Sequence, residues 1–408
     1  MKIAPFVLLL TLCGCAPRDY FRTQIGQAPC LVEVGRDCRT ANLLLDKHQG
    51  YALGFVEFDD YGRFYDARQA QVLLNWLEDE SQPQYVVVYT HGWHHNASDN
   101  DSNVWRFKNS LREIKQRNPN YRVTGVYLGW RGETVKTPWL RTLTFWSRKA
   151  TSETLGRGQF RDFLLQVEQT LKPNNATENR MLTIGHSLGA MSLYNALQTD
   201  WLEHLYQRRN VFGDLLVLVN PAIEARRFAA LRAAASQIGQ KTASANTKWP
   251  SLMIVGSEAD GMTKNPFTWS RALPALFEAK PSSFLAPELT EASAWELNAT
   301  AIGHYQRFIT HRLEAAAELS ADSGCPAIAD SESRQSQSLA SMDDTITAWP
   351  ALPALLLNRR SDAPAEGVWF VQTNKNVLPN HGFMAQKPFW CFIEHGIQQA
   401  AKTADFNG

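Results

Sequence analysis

The sequence predicts an α/β fold: a mostly parallel sheet covered by helices on both faces. Three observations carry this expectation. Runs such as Tyr85–Tyr89 and Leu215–Val219 are unbroken and rich in β-branched residues, as in strands buried on both sides. Segments with helical spacing of apolar residues alternate with them. The chain has 408 residues, 44% of them apolar, enough to bury a sizeable core as one large domain or two ordinary ones. With 41 basic and 40 acidic side chains the net charge is +1, which gives no general pull toward nucleic acid or anionic lipid. The apolar fraction excludes a mostly disordered chain.

At the N-terminus Lys2 precedes the apolar run Phe6–Leu12. That run is far shorter than the roughly 20 residues needed to cross a bilayer, and it reads as a signal-peptide core. Leu12-Cys13-Gly14-Cys15 resembles a bacterial lipobox. The resemblance implies a signal peptide over 1–14, a diacylglycerol-carrying Cys15 as lipid anchor, and a place in the bacterial cell envelope. Ala16 after the anchor resembles the outer-membrane choice, facing the periplasm. Residues 15–50 read as a tether and an irregular lead-in.

From there the elements follow in order. Gly54–Phe58 reads as a strand, then a turn and a second short strand, then a helix over 70–77. Tyr85–Tyr89 is a strand, 102–115 a helix, Tyr121–Leu128 a strand and Phe160–Leu171 a helix. Met181–Ile184 is a strand, 190–206 a helix, and Leu215–Val219, Leu252–Val255 and Val368–Gln372 are strands, with a closing helix from about Pro388. Residues 261–367 separate the last two strands, far beyond a usual connection. This stretch, about 262–366, reads as a helical insertion, with 329–347 rich in Ser, Gln and Asp and expected to be disordered. The expected organisation is one catalytic domain over 51–400 enlarged by its insertion.

Four further cysteines lie beyond the lipobox. Cys30 and Cys38 bracket a short polar loop and are the favoured disulfide pair. Cys391, among Phe389, Trp390, Phe392 and Ile393, reads as a buried free thiol, and Cys325 stays unassigned. No cysteine spacing suits a structural zinc.

The chemistry falls at strand ends. Gly185-His186-Ser187-Leu188-Gly189 follows the Met181 strand and opens a helix, a G-x-S-x-G nucleophile elbow in its strand–turn–helix context. Ser187 is the expected nucleophile. It needs a base to take its proton and an acid to orient that base, in the chain order nucleophile, acid, base. Asp260, in the loop after the Leu252 strand, is the favoured acid, with Glu258 competing. His381, just past the Val368 strand, is the favoured base. His304, inside the insertion, suits packing or capping; His395 is expected to help end the last helix; His311 reads as a helix-surface residue. The oxyanion donors expected are the backbone N–H groups of Leu188 and of Trp93, in the loop His91-Gly92-Trp93-His94-His95. A metal held by His91, His94 and His95 is the weaker reading of that loop, because no separate acidic ligand is clearly placed; His91 is expected to brace it.

With Gly129-Trp-Arg-Gly132 after the next strand, these motifs together resemble the α/β-hydrolase fold superfamily, and esterase- or lipase-like bacterial members most. The resemblance covers about 50–260 and 365–400 but not the insertion. It implies a carboxylic-ester hydrolase with no metal or organic cofactor, acting on a small-molecule or lipid ester, joined to a membrane by its anchor, with no nucleic-acid partner. Acyl transfer by the same triad, or a non-catalytic envelope lipoprotein on this scaffold, are the rival expectations. Trp93, Trp130, Trp146 and Phe383 are expected around the site.

Overall fold

A computed structural model describes residues 20–134, 144–173, 178–207, 212–241, 249–264, 267–268, 271, 275, 278, 294–315, 347–348, 355–360 and 367–405. The lipobox, Cys15 and Cys325 lie outside them, as does nearly all of the tract expected to be disordered.

One twelve-stranded sheet organises the molecule. Its strands are β1 (Cys30–Leu31), β2 (Leu43–Asp46), β3 (Tyr51–Glu57), β4 (Gln84–Thr90), β5 (Arg122–Gly129), β6 (Arg180–His186), β7 (Leu215–Val219), β8 (Leu252–Ser257), β9 (His311–Ala315), β10 (Thr347–Ala348), β11 (Leu355–Arg359) and β12 (Val368–Thr373). The spatial order is β1-β2-β3-β5-β4-β6-β7-β8-β12-β9-β11-β10. From β3 to β12 every neighbouring pair is parallel, so all these strands end on one edge, where the connecting loops gather. The α/β class with a mostly parallel, helix-flanked sheet is thus the observed one, in an α/β-hydrolase-like arrangement.

The pleat sends alternate side chains to opposite faces, and both faces are apolar. In β4, Val86 and Val88 join one core cluster while Tyr85, Val87 and Tyr89 join the other. Helices α1 (Ala67–Leu77), α2 (Ser102–Arg117), α3 (Phe145–Leu155), α4 (Gln159–Leu171), α5 (Leu188–Gln207), α6 (Ala229–Lys241) and α7 (Lys387–Asp405) cover them. Leu73, Phe163, Leu197 and Leu231 pack with the first face; Phe107, Leu111, Ile393 and Ile397 pack with the second. Among the described residues no helix is long and apolar enough to cross a membrane.

Five expectations need correction. The described part of 15–50 is no mere tether. It contributes β1 and β2, and the Phe21 and Arg22 N–H groups donate to the buried Glu57 carboxylate. The Arg22 guanidinium is buried 3.6 Å from the centre of the Phe55 ring and donates through Nε to the Ala97 carbonyl. The insertion is not simply helical: β9, β11 and β10 extend the sheet beyond β12. His311 therefore lies in a strand, buried and stacked 4.0 Å from Trp369; the run of alanines after Leu313 suggested a helix, but strand pairing with β12 prevails. His395 does not end the last helix, because α7 continues through Gly396 to Asp405. A fifth correction concerns sulfur. Cys391 is disulfide-bonded, with a partner outside the described residues; its aromatic neighbours signal burial and say nothing about oxidation. The Cys30–Cys38 disulfide is present as expected.

Candidate functional site

The loop edge of the sheet carries the site. β6 ends at His186 and α5 starts at Leu188, which leaves Ser187 alone to make the turn. It does so at φ 55°, in the left-handed region that costs a side-chain-bearing residue energy and is found where function requires it. Packing holds it there: its N–H donates to the Val219 carbonyl at 3.0 Å. The flanking glycines are steric necessities. A Cβ on Gly189 would sit 2.4 Å from the His91 carbonyl oxygen, and one on Gly185 would sit 2.7 Å from the Ala190 Cα.

Asp260 lies just beyond β8, fully buried, while Glu258 points to solvent. His381 Nδ1 is 2.8 Å from Asp260 Oδ2. Burial opposes the charge on Asp260, but hydrogen bonds from His381, the Thr263 hydroxyl and the Thr263 N–H prevail and hold its carboxyl down to about 2. An ionised Asp260 accepts from Nδ1–H, which leaves the lone pair of a neutral imidazole on Nε2. Ser187 and His381 line the same cavity. The structure records no hydrogen bond between them; in unliganded sites such contacts are often long.

Three residues hold this pair in ways the sequence did not disclose. The His381 carbonyl accepts from His186 Nε2 at 2.8 Å and from Asn220 Nδ2 at 2.9 Å. Asn220 itself has φ 44° and accepts the Ser257 N–H through its Oδ1. Burial lowers His186 to about 3, so it is a neutral donor. His304 is not a distant packing residue either: its Nε2 lies 2.9 Å from the Thr263 hydroxyl. That hydroxyl spends its one proton on Asp260, so it accepts from His304 Nε2–H. The sequence signal for His186 and Asn220 was their place at strand ends; His304, in a short turn within the insertion, carried none.

The 91–96 loop crosses over the elbow. His91 is buried, and burial lowers it to about 4. Its Nε2 accepts the Trp130 N–H, its Nδ1 donates to the Gly92 carbonyl, and its ring stacks on Trp130 at 5.5 Å and 4°. Both ring nitrogens are thus engaged in bracing, as the sequence suggested. His95 pairs with Asp101 at 3.0 Å. Among the described residues no group of three His, Cys, Asp or Glu is disposed to hold a metal. No hydrogen bond among the described residues engages the backbone N–H of Trp93 or Leu188.

The cavity measures about 1160 Å³. Its lining includes an apolar wall of Trp93, Phe145, Trp146, Met262 and Phe267 and the polar Asn96, Asn100, Asp101 and Glu133; among the described residues no Lys or Arg lines it. Trp130 and Phe383 are buried behind the wall, against His91 and His186.

Comparison of the sequence with protein families and with curated proteins finds no match. Among solved structures the chain is similar to the phospholipase PlaB from Legionella pneumophila. The match to its complex with thio-NAD has 10% identity and a TM-score of 0.26, covering 58% of this chain and 47% of that one. A second PlaB structure matches with 10% identity and a TM-score of 0.24, over 58% and 48%. The chain spans about half the length of these structures.

Proposed function

We propose that the protein is a lipid-anchored serine hydrolase that cleaves carboxylic esters. The observation that carries this reading is the Asp260–His381 pair at 2.8 Å, opening on the cavity that also holds the strained Ser187. In this reading His381 Nε2 takes the Ser187 proton as Oγ attacks the ester carbonyl, and Asp260 orients the ring and stabilises its charged form. The N–H groups of Trp93 and Leu188 receive the oxyanion. The alcohol leaves with the proton from His381, and water then repeats the cycle on the acyl-enzyme. The apolar wall takes the acyl group. Asp101 and Glu133 in the lining disfavour an anionic alcohol portion, so an uncharged one fits better.

The membrane link in this proposal comes from Cys15, supported by the lipobox, since a net charge of +1 supplies none. Labelling with a fluorophosphonate tests the nucleophile. The wild type is expected to label and Ser187→Ala is not; an unlabelled wild type, or undiminished labelling of Ser187→Ala, overturns the reading. Incorporation of radiolabelled palmitate, lost in Cys15→Ser, tests the anchor.

A further inference from the structure

We propose that the loop edge of the sheet lies against the bilayer, so that the cavity mouth opens toward membrane lipid. The proposal rests on the Cys15 anchor of the preceding section. Its geometric basis is where the body begins. Phe21 and Arg22 are fixed to the carboxylate of Glu57, the last residue of β3, and Arg22 Nε donates to the Ala97 carbonyl at 2.7 Å. Ala97 sits between Asn96 and Ser98, which both line the cavity. The described chain therefore begins, at Tyr20, at the rim of the site and not on its far side. Cys15 is only five residues earlier, and five residues reach at most about 17 Å in any conformation. A lipid on Cys15 thus keeps this edge close to the membrane surface.

The same edge carries apolar side chains in solvent. Trp146 and Met262 line the cavity and are 41% and 45% exposed. Trp105, in the first turn of α2 beyond the cavity-lining Ser102, and Phe21 are exposed as well. Aromatic and thioether side chains of this kind insert into the headgroup and upper acyl region, where a second weak contact adds to a lipid anchor. The committed occupant is a lipid bilayer. Tyr206, also exposed, lies at the opposite end of the 20-residue α5, about 30 Å away along the helix.

The test places a thiol-reactive fluorophore at Met262→Cys, Trp105→Cys or Tyr206→Cys in the full chain. Each is reconstituted in phosphatidylcholine vesicles with and without a headgroup-nitroxide lipid. The expected result is fluorescence lowered at least about twofold by the nitroxide at positions 262 and 105, within the depth an interfacial contact reaches, and unchanged at 206. Two variants keep the result readable if one fails to fold. Equal quenching at all three positions, or quenching at 206 alone, overturns the edge assignment. Protection of 262 that depends on protein concentration but not on nitroxide lipid points to a second copy of the chain and overturns it too. A chain that does not float with the vesicles overturns both this proposal and the anchor. Loss of fluorophosphonate labelling bears only on the hydrolase reading.

Discussion

Gly92 lies so close to Ser187 that a Cβ on the glycine would sit 2.9 Å from the Cβ of the serine. The loop that offers the Trp93 N–H can therefore cover the elbow only if residue 92 has no side chain. Gly92→Ala is expected to lift the loop and lower kcat for a p-nitrophenyl ester by about 10² to 10³, the range for losing one oxyanion donor. Gly92 is buried, so the melting temperature should fall as well, and kcat of the folded protein is the deciding readout. Unchanged kcat would remove Trp93 from its proposed role.

The two carboxylates after β8 separate cleanly. Asp260 is buried on His381, and Glu258 is in solvent; among the described residues its backbone N–H, on the Thr373 carbonyl, is its one hydrogen-bonding group engaged. Asp260→Asn should reduce kcat by about 10⁴, since the Met262 and Thr263 N–H groups hold the amide oxygen and leave its NH2, which cannot accept, facing Nδ1. Glu258→Gln should leave kcat within about twofold, as surface substitutions away from special contacts do. A reversed order of these effects would reassign the acid.

The Thr263 hydroxyl ties Asp260 to His304. Without it the Asp260 carboxyl, now held at about 2, rises because one donor to its charged form is gone. Thr263→Val should lower kcat about tenfold with KM nearly unchanged, and Thr263→Ser should restore it. His304→Gln keeps an N–H donor for Thr263 and should be milder than His304→Ala. Equal losses in kcat and stability for Val and Ser would mean that the residue serves packing alone.

Much of this was legible in the sequence. Buried parallel strands announce themselves by unbroken runs such as Val86–Val88, and the elbow by its glycines; Asp260 and His381 pair, and His381 lines the same cavity as Ser187. What the sequence hid was contact across loops distant in the chain. Asn220 and His381 are far apart in sequence, yet one holds the carbonyl of the other. The strands of the insertion were hidden for a related reason: His311–Ala315 has helix-forming residues, and only pairing with β12 makes it extended. Arg22 reads as a tether residue until the Phe55 ring and the Ala97 carbonyl are placed around it.

Acid should destabilise the fold in a defined window. Burial lowers His91 to about 4 and His186 and His311 to about 3, whereas unfolded histidines titrate near 6.5. Between those values the unfolded chain binds more protons, so this contribution is fully present above about pH 6.5 and is lost as pH falls toward 4 and then 3. The melting temperature is expected to drop steadily from pH 7 to 4. His311→Phe, which keeps a ring against Trp369, should flatten that slope. A melting temperature independent of pH over this range would contradict the burial of these rings.

The three strands that the insertion adds beyond β12 have a consequence for solubility. Val368–Thr373 reads Val-Trp-Phe-Val-Gln-Thr, buried throughout, and on the side away from β8 its later half is covered, Val371–Thr373 by β9 and Phe370 by Thr310. An uncovered apolar strand of this kind templates pairing with other chains. The insertion thus acts as a guard strand set against self-association, and the loop bearing His381 leaves β12 from the end that is paired on both sides.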